Sequence, residues 1–198
     1  FKQYAMEIEL LDPLNADGCV EPTGPDGATI SQAADDPLQS ANKKDAWETT
    51  QGDTGSGQAF QFDHGVNETT TVSQTMLDTE TGESKTVTKE VCVSDTTAPE
   101  IIILSPQAGA VINGNHLGLN VMIYDLVDKT IPDYLVTVGT SYVVDLDPDE
   151  EVSEVKLFKP APGKEPVPTD VTVSTMDAAG NVATASVEIM LQHDNRKK

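Results

Sequence analysis

Val171-Thr172-Val173-Ser174-Thr175-Met176 and Val182-Ala183-Thr184-Ala185-Ser186-Val187-Glu188-Ile189-Met190-Leu191 flank the short segment Asp177-Ala178-Ala179-Gly180-Asn181. Val171 and Val173 alternate with hydroxyl residues, and Ala185, Val187, Ile189 and Leu191 alternate with Ser186, Glu188 and Met190. A period of two places one apolar set on one face of a strand, so each run reads as a β-strand with a buried side. Between them Asp, Gly and Asn supply the positive-φ or side-chain-bonded positions of a hairpin loop. The stretch is predicted to be the closing hairpin of a β-sandwich.

Working outward, Leu117, Leu119, Val121 and Ile123 alternate with Gly118, Asn120, Met122 and Tyr124. Further strands are expected over 101–105, 134–138, 142–146 and 153–158, giving about seven short strands, the number an immunoglobulin-like sandwich needs. Asp95-Thr96-Thr97-Ala98-Pro99-Glu100 is polar, carries a proline and separates a Val-rich run from an Ile-rich one, which reads as a tight linker between two β domains. The boundary falls there: a decorated domain over 1–96 and a second over 97–198.

The first half is less regular. Tyr4, Met6, Ile8 and Leu10 share one face of an opening strand, and 70–76 with 87–93 form a closing hairpin around a turn over 78–84. Residues 12–58 are rich in Gly, Pro, Asp and Ser and read as a long irregular insertion. One element is expected within it, a short helix with Asp36 as N-cap and Pro37 at its first position, running to about Trp47. The fold class is therefore all-β, two tandem immunoglobulin-like sandwiches, the first with an irregular insertion and a short helix.

Composition narrows the function. Twelve Lys plus Arg stand against 33 Asp plus Glu, a formal charge of -21, with both halves acidic. Nucleic acid is excluded as a partner, since phosphate binding needs a cationic footprint, and an anionic membrane surface is excluded likewise. No apolar run approaches the roughly 18–20 residues of a membrane helix. The chain opens on Phe1 and reads as a processed mature chain or a piece of a longer one. Aromatic residues at 5% and abundant Thr and Val suit a thin sandwich core and not a helical bundle.

Cys19 and Cys92 fit neither a C-x-x-C redox pair nor a four-ligand zinc pattern. A single structural disulfide is the economical reading and points to an oxidising compartment; two unpaired buried thiols are the alternative.

Asp95-Thr96-Thr97-Ala98-Pro99-Glu100-Ile101-Ile102-Ile103-Leu104-Ser105-Pro106, Gly109, Val111 and Gly114, with the later 171–181 segment, together resemble the bacterial immunoglobulin-like repeats of large surface proteins and adhesins. The likeness covers most of 97–192. In the first half Phe62, Gly65, Thr69-Thr70-Thr71-Val72, Asp78, Gly82 and Val91-Cys92-Val93-Ser94-Asp95 resemble the hyalin-repeat relatives of the same fold, although those repeats carry an aromatic where Gln74 sits. Cys92 lies between Val91 and Val93 and is expected to face away from them. The resemblance implies a stalk or adhesive role outside the cell, with Ca²⁺ at some junctions.

Asp53-Thr54-Gly55-Ser56 spells the aspartic-protease tetrapeptide, but its flank is polar and no second copy exists to share a proton. His64, His116 and His193 lie far apart, which argues against zinc. Asp145, Asp147 and Asp149 resemble the start of a calcium loop without the Gly and Glu of an EF-hand. Asn67-Glu68-Thr69 satisfies the N-glycosylation rule. Trp47 is expected in the core, with a sugar platform as the alternative.

The sandwich topology gathers Asp95, Glu100, Asp125, Asp128, Asp177 and Asn181 at one pole. Either they hold an interdomain Ca²⁺ ion, which takes about six to eight oxygen ligands, or they cap their own turns. No enzyme activity is expected. Three functions are carried forward: an adhesive or structural module of a bacterial surface protein, with neighbouring repeats, a receptor or a glycan as partner; a filament subunit that pairs with copies of itself by donating strand 4–10; and a carbohydrate-binding accessory module with Trp47, Tyr134 or Tyr142 as platforms.

Overall fold

The strands predicted from alternation assemble, in a computed structural model of the chain, into two units, Phe1–Thr96 and Thr97–Lys198. The structure describes residues 6–34, 43–113, 116–130, 133–140, 143–146, 153–156 and 165–192. Among the described residues there is no helix.

In the first unit, β1 (Ile8–Leu10), β2 (Ala28–Ala34) and β5 (Ala59–His64) form one antiparallel sheet in the order β1-β2-β5. The other sheet runs β4-β3-β6-β7, from β3 (Lys43–Thr49), β4 (Thr54–Gly55), β6 (Thr69–Asp78) and β7 (Ser84–Cys92). A parallel bridge from Val20 to Val93 docks the chain between β1 and β2 beside the end of β7. Ile8, Ile30, Phe60 and Phe62 from one sheet meet Trp47, Val72, Val91 and Val93 from the other in one core.

The second unit repeats that plan. Its sheets are β13-β10-β8 and β12-β11-β14-β15-β9. Their strands are β8 (Glu100–Ser105), β9 (Val111–Ile112), β10 (His116–Tyr124), β11 (Tyr134–Val138), β12 (Val143–Leu146), β13 (Ser153–Lys156), β14 (Val167–Met176) and β15 (Val182–Leu191). β9 runs parallel to β15, Val111 beside Met190 and Ile112 beside Leu191, where the first unit has its Val20–Val93 bridge. Leu117 and Leu119 face Tyr134, Val136, Val171, Val173, Ile189 and Leu191 across the core. Each unit is an immunoglobulin-like β-sandwich.

Two expectations for the first half fail. Residues 12–58 are not an irregular insertion, because they hold β2, β3 and β4. The helix is absent where described: 43–49 is strand β3, pairing Trp47 with Gln74 and Thr49 with Val72, while 35–42 lies outside the described residues. The inward positions of β2 are Ala28, Ile30, Gln32 and Ala34, so small and polar residues hide its alternation. The Asp36-Pro37 start signal in the sequence is local, whereas the ladder from β3 to β6 and the burial of Trp47 and Thr49 are long-range and prevail over 43–49.

Candidate functional site

The hairpin at 177–181 forms as its sequence requires. Asp177 N–H donates to the Asn181 carbonyl at 3.1 Å, and Gly180 takes φ 96°, which its missing Cβ permits. The Asp177 carboxylate is buried and closes the loop, with Oδ1 accepting from the Asn181 N–H at 2.7 Å and Oδ2 from Asn181 Nδ2 at 2.8 Å. Asn181 Nδ2 also reaches the Thr97 carbonyl at 3.4 Å.

The loop after β10 meets this hairpin. Asp125 Oδ1 accepts the N–H groups of Val127 and Asp128 at 2.7 and 2.9 Å, an Asx-type turn. That turn aims Asp128, whose Oδ2 accepts the Ala178 N–H at 2.7 Å. The structure thus brings Asp125, Asp128, Asp177 and Asn181 to one end of the second unit. Asp125 Oδ2 is buried there with no hydrogen-bond partner among the described residues. Glu100 pairs differently: Tyr124 O–H donates to its carboxylate, and that bond, with burial and the adjacent negative charge, raises the Tyr124 hydroxyl above its ordinary 10.0.

Asp95 belongs to the first unit, where it is buried. Asp145 lies in β12 opposite Leu135, and Asp147 and Asp149 fall outside the described residues. Among the described residues no group of three or more His, Cys, Asp or Glu side chains is arranged to hold a metal ion. Backbone and side-chain amides engage most of the carboxylate oxygens at this pole, as turn caps do.

Cys19 and Cys92 are bonded, closing a sequence separation of 73 residues. Val91 and Val93 are buried and Cys92 is not, so the bond lies on the outside of the sandwich and fastens the Val20 segment to β7. Asp53 caps its own hairpin: its Oδ2 accepts Thr49 Oγ1–H at 2.8 Å and its N–H donates to Thr49 Oγ1 at 3.0 Å. His64 is buried, with Nδ1 at 3.0 Å from the Gly65 carbonyl, His116 is exposed, and His193 lies outside the described residues. Asn67 is exposed in a turn at φ 58°.

Two of the three expected sugar platforms, Trp47 and Tyr134, are enclosed. Trp47 is 1% exposed, stacks on Phe60 at 5.6 Å and donates from Nε1 to the Gly57 carbonyl at 2.7 Å. Tyr134 is 3% exposed, and Tyr142 is outside the described residues. Of strand 4–10, residues 8–10 pair with β2 of their own unit, Ile8 beside Ala34.

The sequence matches no protein-family model and no curated protein. Among solved structures, the chain is similar to the fibronectin(III)-like modules of Clostridium thermocellum CbhA, at 13% identity and TM-score 0.44 over 97% of both chains. It is similar to mouse Cadherin-23 at 15% identity and TM-score 0.37, over 88% of this chain and 62% of that one. A third is Bacteroides ovatus SGBP-B, solved with a mixed-linkage heptasaccharide, at 16% identity and TM-score 0.28 over 92% and 47%. At such TM-scores these likenesses carry no argument, and the fold rests on the strand order and register given above.

Proposed function

We propose that the chain is a non-enzymatic, extracellular structural or adhesive module of a bacterial surface protein. The observation that carries this reading is the repetition of one sandwich plan in both units. Tandem sandwiches suit a spacer or stalk, since each unit closes its own core and the chain adds length unit by unit. The external Cys19–Cys92 bond supports an oxidising compartment.

Single-molecule pulling on the full chain tests the reading. A stalk module gives two unfolding events at appreciable force. The disulfide shortens the chain released by the first unit, and reductant restores it. Unfolding of both units at forces near the noise would overturn a mechanical role.

Calcium belongs to this proposal as a stiffener of the second unit, through Asp125, Asp128, Asp177 and Asn181. Asp125 Oδ2 is the buried oxygen that favours it. Calorimetric titration with Ca²⁺, with melts in EDTA, is expected to show binding that Asp125→Asn weakens. An absent heat and an unchanged melting temperature would leave these side chains as turn caps alone.

A further inference from the structure

The chain leaves the first unit through Val93, Ser94, Asp95 and Thr96, and a loop over 15–21 grips that exit. Asn15 Oδ1 accepts the N–H groups of Asp17 and Cys19, both at 3.1 Å, and Asn15 N–H donates to the Cys19 carbonyl at 2.8 Å. The loop is thus closed on itself. It is fastened to the exit by Val20 N–H donating to the Cys92 carbonyl at 2.9 Å, by Ser94 N–H donating to the Val20 carbonyl at 3.0 Å, and by the Cys19–Cys92 bond.

Val20 and Val93 are buried side by side, and side chains alternate along extended chain, so Cys19 and Glu21 share the outer face with Cys92, Ser94 and Thr96. There Glu21 engages both polar groups of Thr96. Its Oε1 accepts the Thr96 N–H at 2.9 Å and its Oε2 the Thr96 Oγ1–H at 2.7 Å. Asn15 Nδ2 donates to Glu21 Oε2 at 3.1 Å and to the Ser94 carbonyl at 2.9 Å, which steers the carboxylate. Bonds to a carboxylate are stronger than those between neutral groups.

The next residue belongs to the second unit. The Thr97 carbonyl accepts Asn181 Nδ2 at 3.4 Å, Asn181 is itself tied to Asp177 Oδ2 at 2.8 Å, and Pro99 is buried. A proline fixes its own φ and confines the residue before it, here Ala98, to extended backbone. Domains joined by a polar linker ordinarily move relative to one another. In this linker the chain passes from the hydrogen bonds of one unit to those of the other between adjacent residues.

We infer that the loops over 15–21 and 177–181 clamp the linker from its two sides and confine the hinge to the backbone torsions between Thr96 and Thr97. Glu21 is the positioning residue that decides where the hinge begins. Without its carboxylate Thr96 loses both bonds, and the hinge reaches back to the buried Asp95. The disulfide anchors the loop that carries Glu21, so reduction loosens the same clamp. The clamp rests on hydrogen bonds inside each unit and not on the adhesive reading. Unfolding force and linker order are separate measurements, so either can fail alone.

Nitrogen-15 relaxation of the full chain tests it. In wild type the Thr96 and Thr97 amides are expected to be ordered like strand backbone, with order parameters near about 0.85. The rotational correlation times of the two units should lie closer together than in a chain with two glycines inserted between Thr96 and Thr97. Glu21→Ala is expected to lower the Thr96 order parameter towards the flexible range below about 0.6, and to speed exchange of its amide hydrogen by at least about tenfold. Glu21→Gln, whose amide oxygen still accepts the Thr96 N–H, restores part of both.

Thr96→Val removes the hydroxyl bond alone, lowers the order parameter by less, and serves if Glu21→Ala fails to fold. The amides of β6 are the control, because a variant that merely loosened the first unit would move them too. A flexible Thr96 in wild type, unit correlation times equal to those of the glycine insertion, or a Thr96 amide indifferent to the loss of Glu21 would overturn the proposal.

Discussion

The two units share one strand order and hold it together differently. The first packs a row of rings, Trp47 on Phe60 at 5.6 Å and Phe60 on Phe62 at 5.3 Å, with His64 next to Phe62. It adds an external disulfide and buries the whole side chains of Gln32 and Gln74, whose amide atoms have no hydrogen-bond partner among the described residues. The second is built from Leu, Val and Ile around Tyr134 and contains no cysteine. One topology thus tolerates a polar interior where large rings and a covalent tie offset its cost, and dispenses with both where the alternation is clean.

The largest expected effect separates the cores. Trp47→Ala removes the ring that Phe60 stacks on and is expected to destabilise the first unit by about 3–5 kcal/mol. Denaturant unfolding should then show two transitions, with only the earlier one moved. A single transition shifted as a whole would mean that the units unfold together.

Replacing Cys19 and Cys92 by Ser comes next, at about 2–4 kcal/mol for the first unit, because the open chain regains loop entropy in its unfolded state. Reductant should reproduce the shift in wild type and leave the second unit unaltered.

The polar interior sharpens the comparison in the opposite direction. Buried amide groups without partners each cost about 1–3 kcal/mol, so Gln32→Met and Gln74→Met are each expected to stabilise the first unit by about that amount, read as a higher unfolding midpoint. A lowered midpoint would show that the two amides are satisfied in solution.

The smallest effect lies in the second unit. The Tyr124 hydroxyl titrates above its ordinary 10.0, held protonated first by its hydrogen bond to Glu100. A folded-state value above the unfolded one adds stability that is complete below the unfolded pKa and is lost as pH rises through the folded one. The contribution is therefore constant up to about pH 10 and falls beyond it. Ultraviolet titration should show one delayed tyrosine that Glu100→Gln returns towards the ordinary value.

Legibility in the sequence followed the same division. β11 reads as 134–138, and the alternation in β8, β10, β14 and β15 is legible, because Val, Ile, Leu or Tyr holds most of their inward positions. β2 and β3 were missed, because Ala, Gln and Asp occupy inward positions and a proline beside an aspartate imitates a helix start. At the candidate pole, the hairpin at 177–181 was foreseen, as was its approach to the loop carrying Asp125 and Asp128. Which N–H each carboxylate would accept was not.

By itself the sequence determined what is local: alternation, turn chemistry, acidic character and the outward direction of Cys92 between two valines. These follow from the period of a strand and the backbone needs of Gly, Asn and Asp, which act over a few residues. Only the tertiary structure decided that Cys19 meets Cys92, that Trp47 is core, that residues 12–58 contribute strands, and that β8 pairs with β10. Each of these depends on which segments, tens of residues apart, come to lie side by side. A strand's own sequence specifies its faces but not its neighbours.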